Sequence, residues 1–194
     1  TRLAEPSAVF STNPVVAKFR VAAGATPIAF KSFSLKVQPI GATMTAVTTS
    51  NVTVFDITND PSTALTLATV VSGSETASTG VAAIVGGATG YVTVYFTTAE
   101  EVGANSYSDY TVALTFNNIS ATVGAATLST KLNLAEASIP TVGTFSSIAG
   151  AGNDGDPSFV WSDFSKISHS ETTADWTSGY RTELPVAEQW SLKN

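Results

Sequence analysis

An alternation of apolar and polar residues runs along most of this chain and limits its fold more than any other feature. The stretch TGYVTVYFTT, residues 89–98, places Val92, Val94 and Phe96 on one side of an extended chain, with tyrosine and threonine on the other. A period of two is that of a β-strand with one buried face. We expect such a strand here, followed by a connection in AEEVGANS, residues 99–106.

Seven further stretches show a comparable strand pattern. They are residues 15–23, 28–40, 42–48, 51–58, 64–71, 107–120 and 126–136. In residues 107–120 the side chains predicted to point inward are Tyr110, Val112, Leu114 and Phe116. Turn residues separate the stretches, and no stretch has the spacing of an amphipathic helix of three turns. The sequence therefore predicts an all-β, antiparallel β-sandwich, Ig-like or jelly-roll-like, with a Trp-rich C-terminal extension.

One stretch changes phase in its middle. Within residues 28–40, Ile28 and Phe30 lie on one parity, whereas Phe33 and the apolar residues after it lie on the other. One extra residue must be absorbed near Lys31 and Ser32, and a β-bulge absorbs one residue in this way. We therefore expect a single strand with a bulge.

The charge balance excludes one class of partner. Charged residues are 12% of the chain, about half the usual share, and the net charge is −6. No basic stripe is present for the phosphates of a nucleic acid. A hydroxyl-rich surface with few lysines suits proteins that pack side by side, because charge repulsion opposes dense lateral contact. We expect self-association and no nucleic acid partner.

The sequence contains no cysteine and no long apolar run. It therefore has no disulfide and no cysteine nucleophile, which still permits a cell-surface location. No run reaches the roughly 18 apolar residues of a transmembrane helix. The chain begins at TRLAEPS without a basic and apolar leader, as expected of a mature secreted form or of a cytosolic protein, and its composition favours the secreted form. We expect an extracellular or cell-surface protein without a transmembrane segment.

The composition changes near residue 150. The stretch SSIAGAGNDGDPS, residues 146–158, is rich in small and flexible residues, and residues 151–194 hold all three tryptophans and the only histidine. The predicted organisation is a β-sandwich with an N-terminal strand or arm at 1–148, a Gly/Asp-rich loop at 149–157 and an aromatic, acidic segment at 158–194.

His169 is the first candidate for catalysis. It is flanked by Ser168 and Ser170 and followed by Asp175, the residue types of a Ser-His-Asp triad. Sequence neighbours rarely meet in triad geometry, and no G-x-S-x-G nucleophile elbow is present. We therefore expect a polar turn with a hydrogen-bonded histidine, assign no catalytic residue and predict that the protein is not an enzyme.

A calcium site is the one cofactor site that the sequence suggests. In NDGD, Asp154 and Asp156 resemble the oxygen-rich, glycine-turned loops that hold calcium, and Asp163 or Asp175 could complete the set. The full spacing of a calcium-binding loop is absent. The alternative is a solvated turn before Pro157.

The aromatic residues of the last segment have three interpretations. Trp161, Trp176, Tyr180 and Trp190 could be anchors at a subunit interface, a stacking platform for sugar rings, or part of the chain's own core. The first interpretation predicts a self-association surface, and the second predicts a cell-wall glycan ligand.

The same segment carries a resemblance. PSFVWSDFSKISHSETTADWTSGYRTELP resembles a C-terminal signature, FVWSD then HS, TT, DWT and GY, of secreted β-sandwich surface proteins of candidate-phyla (Patescibacteria) bacteria. The matching residues are Phe159, Val160, Trp161, Ser162, Asp163, His169, Ser170, Thr172, Thr173, Asp175, Trp176, Gly179 and Tyr180. The pattern departs at Phe164 and Lys166, where small polar residues are expected. The resemblance implies a surface-layer or filament subunit.

These observations lead to two alternative functions. The first is a structural subunit of an extracellular assembly, a surface layer or a pilus-like filament, built by β contacts between subunits. An N-terminal segment such as AEPSAVFSTNPVVAKF could add as a strand to a neighbouring copy. The second is a carbohydrate-binding or adhesin module of the cell envelope.

Overall fold

The fold is seen in a computed structural model that describes residues 3, 9–45, 47–74, 83–132, 159–165, 168–170, 173, 175–178 and 190–194. The strands are β1 Val15–Ala22, β2 Ile28–Ile40, β3 Val52–Asp56, β4 Leu67–Ser74, β5 Gly90–Val102, β6 Tyr107–Leu114, β7 Thr127–Leu132, β8 Phe159–Ser162, β9 Trp176–Ser178 and β10 Trp190–Lys193. A short 3₁₀ helix spans Thr49–Asn51. The pairs between these strands are antiparallel, so the all-β prediction is confirmed.

Two sheets pack against each other as a β-sandwich. The smaller sheet has the order β1-β6-β3, and the seven-stranded sheet contains the row β10-β7-β2-β5-β4. On the side of β2 away from β5, β7 pairs with residues 35–40 and β8 pairs with residues 29–33. β9 then pairs with β8. Strands from the C-terminal segment are thus integral to the large sheet, while the three-unit division of the chain stays a prediction.

Aromatic rings fill the space between the sheets. The ring of Phe19 contacts those of Phe33 and Tyr110, with centroid separations of 5.1 Å and 5.6 Å. The ring of Phe159 stacks on Phe30 at 4.4 Å, so β8 contributes to this core. The four inward residues predicted in 107–120 are fully buried, which confirms that prediction.

The predicted bulge lies in β2. Against β8, Phe30 pairs with Trp161 and Ser32 pairs with Val160, which leaves Lys31 as the extra residue. The register against β5 shifts at the same place, but there the additional residues lie in β5. Lys31 is buried, and its ammonium group donates a hydrogen bond to the backbone oxygen of Thr97 at 3.2 Å. The bulge therefore keeps apolar residues on the core face along the whole strand.

Three local predictions need correction. β5 is buried on both faces from Gly90 to Phe96, not on one, and it continues to Val102 through half of the predicted connection. The stretch 42–48 contributes only isolated bridges at Thr43 and Met44 among the described residues. Alternation shows which side chains share a face, but it does not show whether a distant segment covers the second face.

The N-terminal arm, residues 9–14, lies at the edge of the seven-stranded sheet. Val9 forms a parallel bridge with Lys193, and the backbone nitrogen of Phe10 donates to the oxygen of Lys193 at 3.0 Å. Phe10 is only 2% exposed and packs edge-on against Phe116 at 5.1 Å, whereas Val9 is 62% exposed. The arm is thus held by one buried aromatic side chain and a few backbone bonds.

Among the described residues, no helix has the length and apolar character needed to cross a membrane.

Candidate functional site

The polar residues of the C-terminal segment meet where β8 ends and β9 begins. Ser162 is the last residue of β8, and it is paired with Trp176, the first residue of β9. Asp175 immediately precedes β9, so the strand pairing places its carboxylate beside Ser162. We call Ser162, His169, Thr173 and Asp175 the tail cluster.

The Asp175 carboxylate is the centre of the tail cluster. Its Oδ2 atom accepts hydrogen bonds from Ser162 Oγ and His169 Nδ1, each at 2.9 Å. Its Oδ1 atom is the partner of Thr173 Oγ1. Because an ionised carboxylate only accepts, His169 carries a proton on Nδ1. Three side chains from different parts of the segment are thus bound to one buried carboxylate.

This environment changes the acidity of Asp175. Burial alone would raise the pKa of the carboxyl, but the hydrogen bonds from Thr173, His169 and Ser162 outweigh burial and lower the pKa well below its usual range. Asp175 is therefore ionised at neutral pH. A buried carboxylate with this set of donors stabilises the turn that brings the donors together.

The cluster contains serine, histidine and aspartate, yet it lacks the order of a catalytic relay. In a triad, aspartate binds Nδ1 of the histidine and the serine nucleophile binds Nε2. Here Ser162 Oγ and the Asp175 carboxylate both lie at Nδ1 of His169, at 3.4 Å and 2.9 Å. The Ser162 hydroxyl also accepts a hydrogen bond from the backbone nitrogen of Phe164 at 3.1 Å. The arrangement is that of a structural hydrogen-bond network, with His169 hydrogen-bonded as expected.

Aromatic rings enclose the histidine. The ring of His169 lies 4.4 Å from that of Phe164 and 5.0 Å from that of Trp176. Trp176 Nε1 donates to the backbone oxygen of Ser170 at 2.9 Å. Phe164, where the sequence departs from the resembled signature, thus packs on the tail cluster. Its backbone has a positive φ of 55°.

Trp176 also covers the outer face of the large sheet. It packs with Ala29, Tyr95 and Val160 in a second, smaller apolar cluster, separate from the core between the sheets. This contact explains why β5 is buried on both faces near Tyr95. The tail cluster therefore stabilises the turn before β9, and Trp176 at the start of β9 covers part of the outer face of the large sheet.

The three tryptophans are buried in their own chain. Trp161 is 7% exposed and Trp190 is 1% exposed, both in the main core, and Trp176 is 5% exposed. Burial of this kind is what the core-completion interpretation predicts, and a stacking platform for sugar rings would need these three rings to be exposed. Tyr180 lies outside the described residues.

The calcium prediction falls mostly outside the described residues, because Asp154 and Asp156 are not among them. Asp163 is half-buried, and its Oδ1 accepts a hydrogen bond from the backbone nitrogen of Ser165 at 3.1 Å. Within the described ranges no three His, Asp or Glu side chains are grouped to hold a metal ion. Calcium binding at NDGD stays a prediction.

Two members of the tail cluster were not singled out by chemistry from the sequence. Ser162 and Thr173 are common residue types in this chain, and only their place in the FVWSD and TT parts of the signature distinguishes them. A further signal was available for Ser162, because a small polar residue ends an apolar strand there and needs a partner when buried.

The fold and this site define an all-β sandwich with a hydrogen-bonded polar network in its C-terminal segment. Comparison with protein-family models, curated proteins and solved structures finds no match to this chain.

Proposed function

We propose that the protein is a structural subunit of an extracellular cell-surface assembly, a surface layer or a filament, whose copies contact one another through β-strands. The observation that carries the proposal is the N-terminal arm on the edge of the seven-stranded sheet. Its parallel bridge from Val9 to Lys193 and its buried Phe10 side chain form a short strand-like insert.

An insert of this kind can be supplied by a second copy. A strand that adds to a sheet edge gains affinity from backbone hydrogen bonds and specificity from a side chain that fills a pocket. Phe10 fills such a site against Phe116, and residues 11–14 connect it to β1. The same contacts form within one chain or between two, so exchange costs little contact energy.

Composition supports the same proposal. A net charge of −6 over 194 residues, with 12% charged residues, is a weak barrier to close packing. The resemblance of the C-terminal segment to surface proteins agrees with a location at the cell surface. In this proposal the tail cluster has a structural role, because it holds β8 and β9 on the sheet that receives the arm.

The adhesin alternative has less support. It needs exposed rings, and the described tryptophans that it would use are buried. A hydrolase that uses His169 has less support as well, because Ser162 and Asp175 lie at the same ring nitrogen. The proposal therefore assigns no catalytic step to the chain.

Disulfide crosslinking tests arm exchange, because the chain has no cysteine of its own. The variant pair Val9→Cys and Lys193→Cys places two thiols at bridge partners, within the separation that a disulfide spans. If arms are exchanged, oxidation of the concentrated protein gives a ladder of linked chains on a non-reducing gel. The matched control is Thr127→Cys with Lys193→Cys, a pair between β7 and β10 that links residues of one chain.

Two results distinguish the outcomes. A ladder from the arm pair and single chains from the control pair support arm exchange. Single chains from both pairs, with no sheets or fibres in negative-stain electron microscopy at any concentration, overturn the proposed function. Single-cysteine variants measure crosslinking by random collision.

A further inference from the structure

Exposed apolar side chains are concentrated at one end of the sandwich. Among the described residues, the large hydrophobic side chains that are exposed are Val9, Ile40, Val85, Tyr107 and Val123. All except Tyr107 lie at the end where β2 finishes and β5 begins, and their exposed fractions run from 49% for Ile40 to 89% for Val123. Single exposed apolar residues are ordinary, whereas a group of them in one place marks an interaction site.

The turn that carries Val85 lies beside the end of β2, which carries Ile40. The backbone nitrogen of Gly87 donates a hydrogen bond to the backbone oxygen of Pro39 at 2.6 Å. This bond joins the turn before β5 to the last residues of β2. Val85 and Ile40 are therefore exposed on adjoining segments.

The loop that carries Val123 lies against the same end of β2. The backbone nitrogen of Ser120 donates to the oxygen of Gly41 at 2.8 Å. Further along the loop, the nitrogen of Gly124 donates to the oxygen of Asn194 at 2.9 Å. The loop therefore connects the end of β2 to the end of β10.

The N-terminal arm continues this row of segments. Val9 forms its bridge with Lys193 at the end of β10, next to the residue that the Val123 loop contacts. We call the surface formed by Val9, Ile40, Val85 and Val123 the apolar end. If arms are exchanged, the Val9 of another copy takes this place and the surface keeps its composition.

The distribution of charge indicates what covers the apolar end. The segments that form it contain no acidic residue and one lysine, and they are residues 9–14, 38–45, 83–90, 117–128 and 190–194. At the other end of the sandwich, Glu100 and Glu101 pair with the first residues of β2. That end of a second copy would bring carboxylates against apolar side chains, which costs desolvation free energy. The apolar end of a second copy would cover apolar side chains with apolar ones.

We propose that the apolar end is a two-fold contact surface, which pairs with the same surface of a second copy of this chain. A contact of this kind is isologous, so each residue meets its symmetry-related set and the pair is closed. The inference rests on the proposed function in that its partner is another copy, but it does not require exchange of the arm.

A charged substitution at Val123 tests the contact. Because Val123 is 89% exposed, Val123→Asp should leave the fold and the unfolding temperature nearly unchanged. In the paired state it places a carboxylate from each copy in an apolar contact, so the dissociation constant from sedimentation equilibrium should rise about tenfold or more. Ala104→Asp makes the same charge change at an exposed residue between β5 and β6 and should have little effect. Val123→Leu should retain association.

The outcomes separate this contact from arm exchange. Equal dissociation constants for Val123→Asp and Ala104→Asp, or a chain that stays single at every concentration, overturn the inference. Association that Val123→Asp weakens, without a crosslinked ladder from Val9→Cys with Lys193→Cys, supports the apolar end and contradicts arm exchange. A crosslinked ladder whose formation is unchanged by Val123→Asp, with equal dissociation constants, supports the arm and overturns the apolar end. Val85→Asp, on the neighbouring turn, is a second variant with the same expected loss.

Discussion

At the residue scale, Asp175 connects chain segments that are far apart in the tail. Its carboxylate accepts from Ser162 on β8, from His169 in the turn and from Thr173 just before β9. Burying a carboxylate costs desolvation free energy, and this cost is recovered only when hydrogen-bond donors surround the carboxylate. The donors here are side chains of the tail itself, so losing the acceptor removes one hydrogen bond from each of them.

Asp175→Asn is therefore expected to destabilise the protein by about 1–3 kcal/mol at pH 7, the cost of leaving buried polar groups unsatisfied. The amide also presents a donor where the cluster needs an acceptor. Urea unfolding followed by tryptophan fluorescence measures the effect. Glu101→Gln makes the same chemical change at an exposed residue of β5 and should be nearly neutral. Equal stability of the two variants would contradict the assigned role.

The stability that Asp175→Asn removes should depend on pH in a definite direction. The pKa of Asp175 is lower in the folded chain than in the unfolded chain, where aspartate titrates near 3.9. The stabilisation is complete above that value and is lost as the pH falls through the folded pKa. The stability difference between the unaltered chain and Asp175→Asn should thus shrink as the pH falls below about 4. A difference that is undiminished at the lowest pH at which both chains fold would refute this assignment.

At the element scale, sequence alternation predicted the bounds of β2 and its bulge against β8, because a change of parity is visible in the sequence itself. β5 was predicted in part only. Its outer face near Tyr95 is covered by Trp176, which lies about eighty residues later in the sequence. The local alternation of apolar residues does not show whether a distant residue packs on the second face.

The same limit applied to the candidate site. A hydrogen-bonded His169 in a polar turn was predictable from its serine-rich surroundings. Its partnership with Ser162 was not, because it depends on the pairing of β8 with β9.

At the element scale, we predict that replacing Gly41, which follows β2, lowers the stability of the fold. Its φ is +64°, and a Cβ there would lie 2.6 Å from the backbone oxygen of Ala125. Gly41→Ala should cost at least about 1–2 kcal/mol, the penalty of the left-handed conformation, with the clash added. Gly24→Ala, where a Cβ meets no atom within 4 Å, should be neutral or slightly stabilising. Thermal unfolding of the two variants checks this, and equal costs would contradict the turn geometry.

At the scale of the whole molecule, net charge and sheet edges act in opposite directions. The arm covers the edge of β10 with few contacts, which favours exchange between copies at high concentration. The net charge of −6 gives copies a mutual repulsion that opposes their approach. Which effect dominates depends on the ionic strength of the solution.

Association should therefore strengthen as salt is added, because the screening length falls from about 30 Å at 0.01 M to about 10 Å at 0.1 M. It should also strengthen as the pH approaches the pI of about 4.6. Sedimentation velocity at fixed protein concentration measures the shift. Glu101→Lys, which lowers the negative charge at an exposed residue, should associate at lower salt than the unaltered chain. Dissociation on adding salt would show instead that ion pairs hold the copies together, and would exclude strand contact as the main source of their affinity.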